Sequence, residues 1–202
     1  MIHLKRIVAA GTLSLALTAC AGLLGGGGKA PPNLQTLTPE AADPGASTRS
    51  ANAGQAVTVA VPIVPKELRT VRVPVQVSPT DVQYVTGLQW VDTPDHLFQR
   101  LVAETIRRTT NRVVLDTALT TLDPGLLLSG QLQRFGYDAQ TGQVIVEYDG
   151  ALSTMGGSRV DARRFVATAP SDGTAASVGP ALNQASNQVA ADVAKWVGNS
   201  GG

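Results

Sequence analysis

The sequence contains few of the residues from which catalytic and metal sites are usually built. Among 202 residues there is one cysteine, Cys20, and there are two histidines, His3 and His96. One cysteine excludes an intrachain disulfide, and this set of thiol and imidazole groups is too small for a typical zinc site. His96 would have to serve any Ser-His-Asp triad, yet it falls in the first turn of a predicted helix, where a surface role is typical. We therefore expect no enzyme activity, no cofactor and no metal.

Charge of either sign is also scarce. The chain has 16 basic and 15 acidic residues, and its formal net charge is +1. No basic excess is present that would favour nucleic acid. After residue 19 no apolar run approaches the roughly 20 residues that a membrane-spanning helix needs.

The one cysteine stands at the end of a short secretory-type leader. Lys5 and Arg6 precede an apolar run over residues 7–19, which is followed by Cys20 and a glycine-rich spacer. A basic start, a short apolar core and small residues before a cut site are the parts of a signal peptide. The segment Leu17-Thr18-Ala19-Cys20 resembles a bacterial lipobox, in which cleavage precedes the cysteine and the thiol is acylated. A transmembrane anchor and an ordinary signal with a free thiol are the alternatives.

The composition divides the rest of the chain into a tether and a domain. We predict a leader at 1–19, the lipidated cysteine and a flexible linker at 20–54 with a short strand at 33–37, a periplasmic domain at 55–198 and a flexible tail at 199–202. Without the leader, 14 basic and 15 acidic residues remain, a net charge of −1.

Periodicity within the domain predicts an α+β fold. Apolar residues alternate with a period of two over 56–64, 71–77 and 82–85, and a short strand is predicted at 112–115. Segments 126–135, 143–152 and 159–168, separated by turn residues, predict an antiparallel meander. Apolar residues recur at helical spacing over 94–110 and 178–197. We therefore expect a largely antiparallel sheet with two amphipathic helices packed on one face.

Few side chains in the domain are candidates for a site. Trp90 and Trp196 lie beside apolar stripes, so core packing and partner contact are both open to them. Two groups of charged residues could likewise form functional sites or be ordinary surface residues. They are a carboxylate cluster of Asp138, Glu147 and Asp149, and a basic patch of Arg134, Arg163 and Arg164.

Several short segments in order along the mature chain resemble one family. They are Cys20 in its lipobox, Asn33-Leu34-Gln35-Thr36-Leu37-Thr38-Pro39, residues 57–64 leading to Pro65 and Leu68, Val82-Gln83-Tyr84 before Trp90, the helix with Leu97, Leu101 and Val102, Leu132-Gln133-Arg134-Phe135, Arg164-Phe165, and Ala194-Lys195-Trp196-Val197. The chain resembles the auxiliary lipoproteins of ABC-type lipid-transport systems, the partners of MCE-domain, paraquat-inducible-type transporters. It departs from them at Asn33, where the family often has an aromatic residue.

The resemblance implies a periplasmic accessory subunit of an inner-membrane ATPase–permease complex and an MCE protein. Such systems move phospholipid or other hydrophobic molecules, and the auxiliary protein would act by docking. Ala21 is not the aspartate that commonly retains lipoproteins at the inner membrane, which favours the outer membrane. The resemblance leaves open a homo-oligomer and a lipid cargo bound by the domain itself. A pilotin-like assembly lipoprotein without lipid transfer is the alternative function.

Overall fold

The structure, a computed structural model, describes residues 33–46, 48–52, 55–115, 125–154 and 159–200. All of these belong to one compact unit, Pro31–Gly202. The elements, in chain order, are β1 (Val57–Val59), a 3-10 turn (Lys66–Leu68), β2 (Arg72–Ser78), β3 (Asp81–Gln89), α1 (Pro94–Thr109), β4 (Val114–Leu115), β5 (Leu126–Asp138), β6 (Gln143–Thr154), β7 (Val160–Pro170) and α2 (Ala175–Asn199). The predicted α+β class is confirmed.

Strand β5 organises the sheet. Its β6 edge pairs antiparallel over the whole length of the strand, and β6 pairs antiparallel with β7, which is the predicted meander. Its other edge is shared by two strands that both run parallel to it. β1 pairs with the start of β5 and β2 with its end, while β4 and β3 extend the sheet outward from these two strands. The sheet is therefore mixed, with its longest pairings antiparallel.

Successive side chains of a strand point to opposite faces, and here the two faces differ sharply. Leu128 and Leu132 of β5 and Val146 and Tyr148 of β6 are buried beneath the helices, and so is Phe165 of β7. We call this side the helix face and the opposite side the open face. The two helices pack on each other and close the core through their predicted apolar stripes, which include Leu97, Phe98, Leu101, Ile106, Val178, Leu182, Val189 and Val193.

Helix α1 begins as the sequence predicts, although its first turn is not capped by a side chain. Pro94 occupies the first helical position, where its fixed φ is favourable and a missing N–H costs nothing. Thr93 is the N-cap residue, but its hydroxyl makes no capping hydrogen bond. The Thr93 Oγ1 lies instead 3.4 Å from Nδ1 of His96. Thr93 therefore supplies the extended entry to the helix, and its carbonyl, rather than its hydroxyl, accepts the Leu97 N–H of the first turn.

The strand that alternation predicts over residues 56–64 is shorter in the structure. Regular pairing ends at Val59, after which the chain continues along β5 through single contacts, with Ala60 N–H donating to Leu128 O and Ile63 bridging to Gln131. Pro62 lies between these contacts and has no N–H to donate, which explains the interruption. Packing also begins before the predicted domain boundary at residue 55, since Leu37 is buried in the core.

Neither helix in the described part of the chain combines the length and hydropathy that crossing a membrane requires.

Candidate functional site

The segment that joins the predicted tether to the domain is fixed against both helices. Gln35 N–H donates to Gln89 O, and Val91 N–H donates to Gln35 O, at 2.9 and 2.8 Å, so that Gln35 bridges to Trp90 beyond the end of β3. The side chain of Gln35 then lies directly over Gly179 of α2. A Cβ added at Gly179 would overlap the Gln35 carboxamide, so that flexible side chain would have to move. We call residues 34–43 the strap.

Two asparagines of α2 hold the middle of the strap. Asn183 Oδ1 accepts a hydrogen bond from Thr38 N–H at 2.8 Å. Asn187 Oδ1 accepts from Glu40 N–H at 2.8 Å, and Asn187 Nδ2 donates to Thr38 O at 2.9 Å. Since residues four apart lie on the same face of a helix, the pair presents two amides in line with the extended strap.

Helix α1 holds the far end of the strap through Arg108. Its Nη1 donates to Ala41 O at 2.9 Å, and its Nε donates to Glu104 at 2.7 Å. The hydrogen bond from Arg108 is the main cause that keeps the pKa of Glu104 below its ordinary value. Asp43 lies 3.9 Å from the same guanidinium. The strap therefore crosses from α2 to α1 and is fixed to both.

Cys20, the predicted lipidation site, and the leader and spacer lie outside the described residues. From Cys20 to Leu34 there are 14 residues. Fully extended they would reach at most roughly 50 Å, and as a glycine-rich coil they would average about 20 Å. The strap thus defines the point on the domain from which a tether of this reach would start.

The two tryptophans that the sequence proposes as partner contacts differ in their exposure. Trp90 is 1 % exposed and packs on Phe135 with a centroid distance of 5.7 Å. Its side chain is core and does not reach the surface in this structure. Trp196 is only partly buried and packs on Phe165 at 5.5 Å, at the end of an aromatic row that continues through Tyr148 to Phe98. Only Trp196 remains a candidate for partner contact.

Trp196 forms one wall of an open cleft at the C-terminal end of α2. The cleft has a volume of about 600 Å³, and the starts of β5 and β7 and the end of β6 complete its lining. Its lining includes Leu126, Leu152, Arg159, Asp161, Arg163 and Trp196. Polar side chains, among them Thr154 and Asn199, line the rest of the cleft. A tryptophan and arginines beside a few apolar side chains are residue types that protein interfaces favour.

The three candidate carboxylates pair with two arginines on the open face. Asp149 accepts two hydrogen bonds from Arg164, at 2.6 and 2.7 Å, and Glu147 lies 3.1 Å from the same guanidinium. Asp138, at the β5–β6 turn, pairs with Arg134 at 3.0 Å. The Arg164 hydrogen bonds are the main cause that lowers the pKa of Asp149. Asp138 therefore lies apart from Glu147 and Asp149, and the arginines Arg134 and Arg164 are already paired.

The surface around His96 is a small ionic cluster. Asp92 Oδ2 accepts from Arg100 Nη1 at 2.9 Å, and Asp92 Oδ1 lies 3.3 Å from His96 Nδ1. The Arg100 hydrogen bond, with support from Thr93 N–H, lowers the pKa of Asp92 to about 2. Within the described ranges no three His, Cys, Asp or Glu side chains are placed to hold a metal ion.

Sequence reasoning missed the residues that hold the strap. The helical spacing of α2 places Asn183 and Asn187 on its polar side, yet Asn187 is only 6 % exposed. Asparagine is a poor helix former. Two of them one turn apart beside the apolar stripe of Leu182 and Ala185 are therefore a signal that their amides bind something.

Comparison with known proteins agrees with this architecture. A family model described as an ABC-type transport auxiliary lipoprotein component matches residues 36–194. The crystal structure of protein XCC0632 from Xanthomonas campestris is similar in fold, with a TM-score of 0.64 and 21 % sequence identity over 75 % of this chain and 90 % of that one. The crystal structure of an uncharacterized protein is similar with a TM-score of 0.59 and 17 % identity, over 74 % and 96 % of the two chains. A search of curated proteins finds no match.

The two structural likenesses, at these identities, support the fold alone. The family match extends further, because it begins within the strap, takes in every described strand and all of α1, and ends in the last turns of α2. The chain therefore belongs to the family of ABC-type transport auxiliary lipoprotein components.

Proposed function

We propose that this protein is cleaved before Cys20, acylated on that thiol and held at the outer membrane, with its domain in the periplasm. There it serves as an accessory subunit of an MCE-type ABC transport system for phospholipid or other hydrophobic molecules. The family match over residues 36–194 is the observation that carries the proposal. The lipobox-like position of Cys20 and the residue Ala21 after it support the anchor and its membrane.

The strap supports a role in tethering. A lipid anchor positions a domain only if the chain between them is held where it reaches the domain. Here Thr38 and Glu40 are hydrogen-bonded to α2, and Ala41 is hydrogen-bonded to α1. A force on the tether would therefore be transmitted to two core helices. One acyl chain binds a membrane only marginally, whereas the several chains of a lipoprotein cysteine anchor it firmly.

The domain would contribute by docking rather than by catalysis. The charged side chains on the open face pair with one another, and Arg164 already pairs with both Glu147 and Asp149. The Trp196 cleft offers the apolar and guanidinium groups that protein interfaces favour. The partners that this proposal names are the MCE protein and, through it, the ATPase–permease complex.

The anchor is tested with two single substitutions. Cys20→Ser removes the acylated sulfur, so we expect the variant to accumulate unprocessed or to enter the soluble periplasmic fraction. Ala21→Asp keeps the thiol and serves as the matched variant, since it should stay lipidated but move toward the inner membrane. Fractionation and mass measurement give the readout. A processed Cys20→Ser protein recovered in the membrane pellet would contradict lipidation.

The transport role is tested by deletion. Cells without the protein should show altered phospholipid distribution between the membranes and greater detergent sensitivity, both restored by the wild-type chain. Unchanged lipid distribution together with a failed assembly of another envelope machine would favour the pilotin-like alternative and contradict transport.

A further inference from the structure

The Trp196 cleft is continuous with a free strand edge. In the described part of the chain β7 pairs with β6 only, so the N–H and C=O groups on its outer edge have no strand partner. An edge strand of eleven residues is a ready template for another extended peptide. Its first residues, Asp161 to Arg163, also line the cleft. A peptide paired with this edge would therefore place side chains in the cleft.

The charge left over at this site is positive. Arg159 pairs with Asp161 at 3.0 Å, and Arg164 pairs with Asp149 on the open face. Arg163 is exposed and lies over the ring of Phe165 at 5.1 Å, and among the described residues it has no carboxylate partner. Its guanidinium is thus free to bind a carboxylate in a bidentate geometry. Arginine and tryptophan are the residues that most often dominate protein interfaces.

The free edge of β7 favours a protein over the membrane. Its backbone groups, which have no strand partner in the described part of the chain, can be satisfied by an extended peptide. Lipid headgroups cannot pair with a strand edge in register.

A twofold dimer of this chain through the β7 edge is less favourable. Antiparallel pairing of two β7 strands about a twofold axis near Arg163 would bring arginines of both chains side by side. Like charges across a strand pair destabilise it.

We propose that the outer edge of β7 and the Trp196 cleft together bind an extended, carboxylate-bearing segment of a partner protein. The segment adds a strand to β7, an acidic side chain pairs with Arg163, and an apolar side chain packs against Trp196. The inference deepens the proposed function, because it names the surface through which the accessory subunit docks.

Binding is tested with the purified full-length chain and defined probes. Tryptophan fluorescence reports on the cleft, since Trp196 is partly exposed while Trp90 is buried and gives a constant background. The first probe is a short peptide with the repeat Glu-Thr-Val-Thr, which places glutamate and valine on the same face of an added strand, and the second replaces each glutamate by glutamine. The third is vesicles of phosphatidylcholine and phosphatidylglycerol in equal parts.

We expect the acidic peptide to bind. The affinity of the glutamine peptide should be lower by about tenfold, which is the loss expected for one charged pair. Arg163→Glu should weaken the acidic peptide by a similar factor. Arg163→Gln removes the charge without reversing it and should show part of this effect. Lys66→Glu, the same charge change at an exposed lysine of the 3-10 turn, is the matched control and should bind as the wild type does. Circular dichroism and the melting temperature verify that each variant is folded.

Equal binding of the two peptides, no binding of either, or no effect of Arg163→Glu would overturn the inference. Fluorescence changes with these vesicles that are absent with vesicles of phosphatidylcholine alone, into which the acyl anchor inserts equally, would identify an anionic lipid surface instead. Self-association that Arg163→Glu abolishes, without peptide binding, would identify a second copy. In cells, a deletion phenotype that Arg163→Glu fully restores would reject this docking surface and leave the transport role standing. A deletion without phenotype would reject the transport role and leave the peptide-binding surface standing.

Discussion

Replacing Asn187 by alanine should release the strap while leaving α2 intact. Asn187 binds the strap through Glu40 N–H and Thr38 O, and its third hydrogen bond, to Asn183 O, lies within the helix. Each strap hydrogen bond contributes about 1 kcal/mol net, and alanine regains about 0.5 kcal/mol of helix propensity. The expected loss is therefore about 1.5 kcal/mol, or a melting temperature lower by roughly 3–6 °C for a domain of this size.

The change should also be local. The Glu40 amide loses its acceptor, so its hydrogen exchange should accelerate by about tenfold, while amides in the middle of β5 and β6 change no more than the global stability requires. Gln188→Ala is the matched control, because Gln188 is the exposed neighbour and its side chain reaches only Asp192, at 3.3 Å. If Asn187→Ala and Gln188→Ala have the same melting temperature and the same Glu40 exchange rate, the strap is not held as described.

Two further predictions concern the core and the acid limit. Leu182 is fully buried beneath the sheet, so Leu182→Ala should lower the free energy of unfolding by about 2–5 kcal/mol in denaturant titrations. Gln184 is exposed, so Gln184→Ala should leave that free energy nearly unchanged. Equal effects of the two substitutions would refute the core assignment of α2. The pKa of Asp92 is about 2 in the folded chain and about 3.9 unfolded, so its ionised form stabilises the fold above about pH 4 and this contribution disappears as the pH falls toward 2. In Asp92→Asn the urea midpoint of unfolding should therefore depend less on pH between about 2 and 4. An unchanged pH dependence would show that the Arg100 pair is not formed in solution.

Local sequence patterns predicted several of the helices and strands close to their observed positions. The predicted helix at 94–110 is found at Pro94–Thr109, because Pro94 fixes its start and its apolar stripe has one consistent period. The meander of β5, β6 and β7 follows from three alternating segments joined by short turns, in which pairing is between chain neighbours. The burial of Trp90 could not be decided in this way, since an aromatic beside an apolar stripe suits either core or surface.

The sequence by itself determined the α+β class, the two amphipathic helices and the position of Cys20, because each depends on residues close together in the chain. Only the tertiary structure decided that β1 and β2 share one edge of β5 and that Arg163, beside the Trp196 cleft, has no carboxylate partner among the residues that the structure describes. It alone showed that the strap lies across Asn183, Asn187 and Arg108. The strap contacts join residues far apart in the chain: Ala41 and Arg108 are separated by 67 positions, and Thr38 and Asn187 by 149. Hydrophobic periodicity tells each segment which face to bury, whereas the choice of a distant partner depends on hydrogen bonds and charges that meet only after the chain has folded.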